Sequence, residues 1–389
     1  MIHLFVNALA ASAGGGLTYV RNIIPQLALR KDTRATILLD AGLRRELQES
    51  TNITFVEREN LPSALRRAWS EQRTVGNLVR EAGANILLSA GNFALWNSPV
   101  PQILLSRNSL YTSADFYSDL RARGEYRLLA DTRVKGVLAR WSIRAADCVV
   151  APSRAFAEDL RQWTGKAIVA IHHGFDRNAF SQDNSPLAPE VRQKLESRGN
   201  ALGLLFVSHY NYYRNFETLI RALPQIKENL RTRDVRLFLT CKLAPHSNPG
   251  SYRPDSAAKL VRELGLTEDV IELDSVPYRL LHQLHRSVDI YVTPAYAESF
   301  AHPLVEAMSS GLPVVASDLP VHREICGEAA IYFQRFSPEQ LAERVCEVAG
   351  SPELAQRLAQ KGLERSRDFS WSTHVERILA LGESLLSKS

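Results

Sequence analysis

Four cysteines in 389 residues (Cys148, Cys241, Cys326 and Cys346) stand far apart, with no metal or redox spacing among them. A disulfide framework is therefore not expected, and they read as reduced thiols of a cytosolic protein. No run of eighteen apolar residues occurs, so no transmembrane helix is expected. The first sixteen residues imitate a signal peptide but lack its basic n-region; a strand running into a glycine-rich turn explains them better. A G-x-S-x-G elbow, a P-loop and a G-x-G-x-x-G fingerprint are all missing, as is any DxD-type metal site. The basic residues form no run interleaved with aromatics, which argues against nucleic acid as a partner.

Charge is present but uneven. Residues 1–178 hold 23 Lys and Arg against 16 Asp and Glu, whereas the rest holds 24 against 26. A basic first half suits an anionic partner such as a phospholipid surface or an acidic acceptor. The length suits two domains. Strand-like runs recur before polar loops and helical patterns throughout, the repeat of an open α/β sheet. Residues 181–199, rich in Pro, Ser, Asn and charge, read as an interdomain segment. Residues 61–81 read as an amphipathic helix with Leu65, Trp69, Val75, Leu78 and Val79 on its apolar side. It is expected either to pack on the sheet or to rest on an anionic membrane.

The densest stretch is Asp289 to Phe333. Residues 290–293 form an expected strand, a loop follows, Pro303 suits a first helical turn, and Gly311 suits a left-handed cap. Ligands of open α/β sheets bind at the loops beyond the strands' carboxyl ends. Glu298 falls in that loop and Glu306 in the helix. Eight residues apart on one helix they would lie about 80° apart, and with Glu298 in the loop both can face one cleft. A carboxylate can accept two hydrogen bonds from a vicinal diol, and a helix N-terminus suits an anion. Diol, anion and diol together describe a nucleotide sugar. At the start of the chain, residues 7–16 form an expected loop ending in Gly14, Gly15 and Gly16, ahead of a helix over 17–29; this is a geometry for approaching phosphate. Arg214 opens a helix after an expected strand, where a cation opposes the helix dipole and so calls for a ligand.

Glu298 and Glu306, with the segment from Ala307 through Glu324, resemble the E-x7-E signature of retaining GT-B glycosyltransferases of family 4. The resemblance covers nearly the whole chain. It implies an α/β GT-B fold: two Rossmann-like domains with parallel sheets facing across a cleft. The expected boundaries are an acceptor domain at 1–178, a nucleotide-sugar domain at 179–371, and a helix at 372–389 returning to the first domain. The reaction implied is glycosyl transfer with retention from a UDP- or GDP-linked sugar to a glycan or lipid-linked acceptor, in cell-envelope polysaccharide or lipopolysaccharide synthesis. No metal and no cofactor besides the nucleotide sugar are expected. In an internal-return mechanism the leaving phosphate takes the acceptor proton. Glu298 and Arg214 are the expected catalytic residues. Donor contacts are expected from Gly15, Gly16, Ser208, His209, Arg214, Lys242, Val276, Glu298, Phe300, Ala301, His302 and Glu306. Acceptor contacts are expected from Gly14, Arg107 and Asn108. His209 stands where the family carries Arg, Arg214 where it carries Lys, and Arg107-Asn108 where many relatives carry a His-Asp-like pair. The expected place is the cytoplasm, with peripheral contact to the inner membrane face. A nucleotide-sugar epimerase on the same fold and a catalytically inactive nucleotide-sugar-binding scaffold are the alternatives.

Overall fold

The computed structural model describes residues 1–11, 14–59, 64–231 and 233–388. The chain forms two compact units. The first comprises Met1–Thr112, Glu125–Gly174 and Ser370–Ser389; the second comprises Ser113–Gly124 and Phe175–Phe369.

Seven parallel strands make the sheet of the first unit: β1 (Ile2–Asn7), β2 (Thr33–Leu39), β3 (Ile53–Glu57), β4 (Ile86–Ser89), β5 (Gln102–Leu105), β6 (Cys148–Ala151) and β7 (Val169–Ala170). Their order is β3-β2-β1-β4-β5-β6-β7. The near-continuous apolar runs arise because helices cover both faces. One core joins β1 and β2 to Tyr19, Ile23 and Leu27 of helix Gly14–Ala28 and to Val375, Ile378 and Leu379 of helix Trp371–Leu386. The close approach that admits the last helix requires Gly174: a Cβ there would lie 2.0 Å from the Trp371 backbone nitrogen.

The second unit carries β8 (Leu202–Phe206), β9 (Val235–Leu239), β10 (Val270–Glu272), β11 (Ile290–Thr293), β12 (Val314–Ser317) and β13 (Ala330–Phe333), again all parallel. Their order is β10-β9-β8-β11-β12-β13. Chain order reverses direction between β8 and β11, as it does between β1 and β4 in the first sheet. Those reversals are where an open α/β sheet leaves a crevice at its carboxyl edge.

Three expectations change. The three glycines are not the end of a loop but the first turn of helix Gly14–Ala28; residues 12 and 13 of the expected loop lie outside the described residues. Residues 181–199 contain a helix, Pro189–Glu196, started by Pro189 in its first turn. The helix expected from residue 61 is described from Ala64, since 61–63 lie outside the described residues. It buries Val75 and Val79 but leaves Trp69 exposed, so the predicted apolar side splits in two.

Candidate functional site

In the second unit the loops after β8 and β11 meet because their strands pair directly, Ile290 with Leu204 and Tyr291 with Leu205. The loop after β8 ends in a short turn over Tyr212–Arg214 and then Asn215, held left-handed at φ 57°. The Asn215 side chain is buried. Its amide donates to the Pro294 carbonyl at 3.0 Å and its oxygen accepts from the Thr218 hydroxyl at 2.8 Å. The Tyr296 amide donates to the Tyr213 carbonyl at 3.0 Å. These bonds stitch the two loops together and set the Arg214 guanidinium on the Glu298 carboxylate, with little side-chain exposure on either partner. The pair predicted as catalytic is thus one half-buried ion pair at the reversal point.

Beyond Glu298 the backbone turns sharply. Ala301 sits in the left-handed region at φ 67° and leads into helix His302–Ser309, with Pro303 in its first turn. A non-glycine residue there costs about 1–2 kcal/mol, so the turn is held by its surroundings. Phe300 is buried, its ring 4.8 Å from His302 and 5.5 Å from Phe369. Glu306 is the fifth residue of this helix and is buried. Desolvation raises its pKa to about 8, against a hydrogen bond with Tyr278 that lowers it. A carboxyl in that state is largely protonated at pH 7.

The remaining predicted donor residues take separate roles. The Ser208 amide donates to the Thr240 hydroxyl at 2.9 Å, and its hydroxyl donates to the His209 carbonyl at 2.7 Å. His209 is exposed on average, yet desolvation and then the Arg214 charge lower its pKa, so the ring is neutral at pH 7. Arg214 is therefore the permanent cation of the pair of family positions after β8. Lys242, beyond β9, forms an exposed ion pair at 2.7 Å with Asp274, beyond β10. Val276 is half-buried in the loop after β10. Among the described residues no group of three His, Cys, Asp or Glu side chains is placed to hold a metal ion.

The predicted acceptor residues lie in the first unit, at its own reversal point. Arg107, after β5, donates to the Gly15 carbonyl at 2.9 Å and to the Ala90 carbonyl at 2.6 Å. It spans the loops after β1 and β4. Its guanidinium carbon lies 5.4 Å from the centre of the buried Tyr19 ring. Desolvation lowers its pKa to about 10, with Tyr19 acting the other way, so it stays charged. A Cβ on Gly16 would press on the Ala11 Cα at 3.2 Å and on Arg107 at 3.4 Å. Gly14 is the first residue of the same helix. Asn108 accepts from the Leu110 amide and caps a short turn.

The family model described as glycosyl transferases group 1 matches residues 188–365, and that described as glycosyltransferase family 4 matches residues 13–179. The chain belongs to the group 1, family 4-type GT-B glycosyltransferases. Curated relatives include the D-inositol 3-phosphate glycosyltransferases of Corynebacterium efficiens, 27% identical over 55% of this chain and 50% of the relative. That of Thermomonospora curvata is 27% identical over 60% and 56%. The chain thus spans about half the length of the curated relatives it matches. Among solved structures, sucrose-phosphate synthase from Thermosynechococcus elongatus shares the fold over 100% of both chains, at 18% identity and a TM-score of 0.78. The Anabaena protein HepE in complex with UDP-glucose matches over 99% of this chain and 100% of its own, at 18% identity and a TM-score of 0.74.

The chain has a further polar cluster that sequence reading missed. Glu217, two residues after Asn215, is buried and accepts from Arg123 at 3.0 Å, Tyr210 at 2.9 Å and Ser256 at 2.7 Å. Desolvation raises its pKa, but Arg123 and Ser256 outweigh that and hold it low. Arg123 also bonds Asp119 at 2.8 Å, Tyr296 donates to Asp119 at 2.7 Å, and Arg335 bonds Asp115 at 2.7 Å. These bonds fasten Ser113–Gly124 to the rest of the second unit. The bonds from Arg123 to Glu217, Tyr296 to Asp119 and Arg335 to Asp115 join residues 94 to 220 apart, which leaves no local spacing to find.

Proposed function

We propose that this chain transfers a glycosyl group, with retention, from a nucleotide sugar to a glycan or lipid-linked acceptor. The observation that carries the reading is the Arg214–Glu298 pair at the reversal point of the second sheet. A permanent cation beside a carboxylate, next to a helix N-terminus, suits a diphosphate bonded to a sugar. Arg214 takes up charge on the leaving diphosphate, and Glu298 accepts hydrogen bonds from the sugar. The N–H groups at Phe300, Ala301 and His302 face the same charge. Ser208, His209, Lys242 and Val276 serve the nucleotide side, and the Glu306 carboxyl takes the ribose diol. Gly15 and Gly16 offer helix N-terminal amides to donor phosphate. The first unit takes the acceptor at Gly14, Arg107 and Asn108.

Charge on the leaving group is balanced by protein groups, without a metal ion. The leaving phosphate takes the acceptor proton, so no side-chain base is assigned. A uridine donor is favoured by the UDP-glucose bound to HepE, and a place in envelope polysaccharide synthesis by the likeness to WaaG, a glycosyltransferase involved in lipopolysaccharide biosynthesis, at 17% identity and a TM-score of 0.68. The test is to incubate the protein with UDP- and GDP-sugars and an acceptor panel that includes inositol phosphate and lipid-linked glycans, with EDTA present. Nucleoside diphosphate release with an axial or equatorial product bond matching the donor supports the reading. Product of inverted configuration, or turnover only on added metal, overturns the corresponding part.

A further inference from the structure

Helix Tyr126–Ala145, in the first unit, is built inside out. It buries Thr132, Gly136, Ala139 and Ser142, with Leu129 and Ile143, while Tyr126, Val134, Val137 and Trp141 are 67%, 52%, 52% and 53% exposed. At 100° per residue these four outward side chains fall within about 80° of arc; Arg144 shares that arc and Arg133 flanks it by about 20°. The stripe continues sideways. Trp96 is exposed, and its ring lies 6.5 Å from Trp141, edge to face. The Trp96 amide donates to the Gln72 side chain at 2.9 Å, and Gln72 donates back to the Ala94 carbonyl at 2.7 Å. Trp69, one turn before Gln72 on helix Ala64–Glu81, is exposed with Arg73 stacked on its ring at 4.9 Å. Six of the eleven large hydrophobic residues exposed among the described residues belong to this face.

We propose that this face docks the protein on an anionic lipid surface. Trp and Tyr, each with an apolar body and a polar N–H or O–H, are the side chains that settle at a membrane–water boundary. Arginines carry their stems in the apolar layer and their charge to phosphate. Residues 125–145 hold five basic and two acidic side chains, which complements anionic headgroups. A second copy would set the same positive stripe against itself, so it is the poorer occupant. No helix among the described residues is long and apolar enough to cross a membrane, so the docking is to the surface. The membrane contact expected of residues 61–81 alone is thereby moved: that helix contributes Trp69, and helix Tyr126–Ala145 supplies the centre.

The test is sedimentation of the full chain with phosphatidylcholine vesicles, with and without phosphatidylglycerol, at low and high salt. The expected result is partition onto the anionic vesicles only, weakened by salt, with a blue shift of tryptophan emission. Replacing Trp96 and Trp141 together by Ser should lower partition at least tenfold, and each of Arg133→Gln and Arg144→Gln by about fivefold. An unchanged melting temperature in the variants shows that the fold is kept. No partition onto anionic vesicles at low salt overturns the proposal, as does partition that survives the double tryptophan substitution. A dimer in solution that the same substitution dissolves would give the face to a second copy. The readout needs no turnover, so it stands apart from the glycosyl-transfer reading.

Discussion

At the reversal point of the first sheet, Arg107 donates to two backbone carbonyls; at that of the second, Arg214 faces the Glu298 carboxylate. Both sheets are parallel, both reverse between two paired strands, and both set an arginine there. The first arginine pins loops together. The second is held in a half-buried ion pair. The backbone differs in the same sense. All five non-glycine residues with positive φ among the described residues (Asn215, His246, Asp274, Ala301 and Phe336) lie in the second unit. Each stands in a loop that follows the carboxyl end of a strand. Strain of that kind collects where side chains must be aimed at a ligand. The first arginine spends its donors on loop carbonyls, whereas the second faces a carboxylate and is the one proposed to meet the leaving diphosphate.

The largest expected effect tests the scaffold side. Gly174→Ala drives a Cβ into the Trp371 backbone and should cost about 4 kcal/mol of stability, read by urea unfolding. A cost below about 1 kcal/mol would mean that the last helix shifts freely. Next, Arg214→Ala leaves the half-buried Glu298 charge unpaired, at about 1–3 kcal/mol, and should lower kcat by more than it weakens donor binding. Equal losses in both would make Arg214 a uniform binder.

Glu306 sharpens the contrast through pH. Its folded pKa, about 8, lies above the ordinary value for Glu. A raised acid pKa favours the fold fully below the ordinary value, and the advantage is lost as pH rises through 8. Stability of the unliganded protein should therefore fall between pH 5 and pH 8, and Glu306→Gln should flatten that slope. An identical slope in the variant would place the titration elsewhere. The smallest effect separates two left-handed residues. Ala301→Gly relieves the turn and should add about 1 kcal/mol. Asn215→Gly loses two side-chain hydrogen bonds and should destabilise, despite the same backbone.

Periodicity and turn chemistry made much of the fold legible. Residues 290–293 are a strand at the expected limits, and Gly311 is left-handed as its position requires. The glycine triplet misled because glycine favours turns by propensity, whereas here it opens a helix so that Arg107 and Ala11 can approach. Glu298 and Arg214 could be singled out by type and position, but their pairing depends on which strands are neighbours. The exposure of Trp69, Trp96 and Trp141 was equally hidden, since an apolar residue on a helical stripe reads as core until the other face is known.

The most direct test of the central claim is isothermal titration of the wild-type protein and of Arg214→Ala with UDP, GDP, ADP, TDP and CMP. The account predicts that one nucleotide binds the wild type, and that Arg214→Ala weakens it by about 1.5–3 kcal/mol while inorganic sulfate competes with it. Binding of the same nucleotide with undiminished affinity by Arg214→Ala, or no binding of any to the wild type, would contradict it.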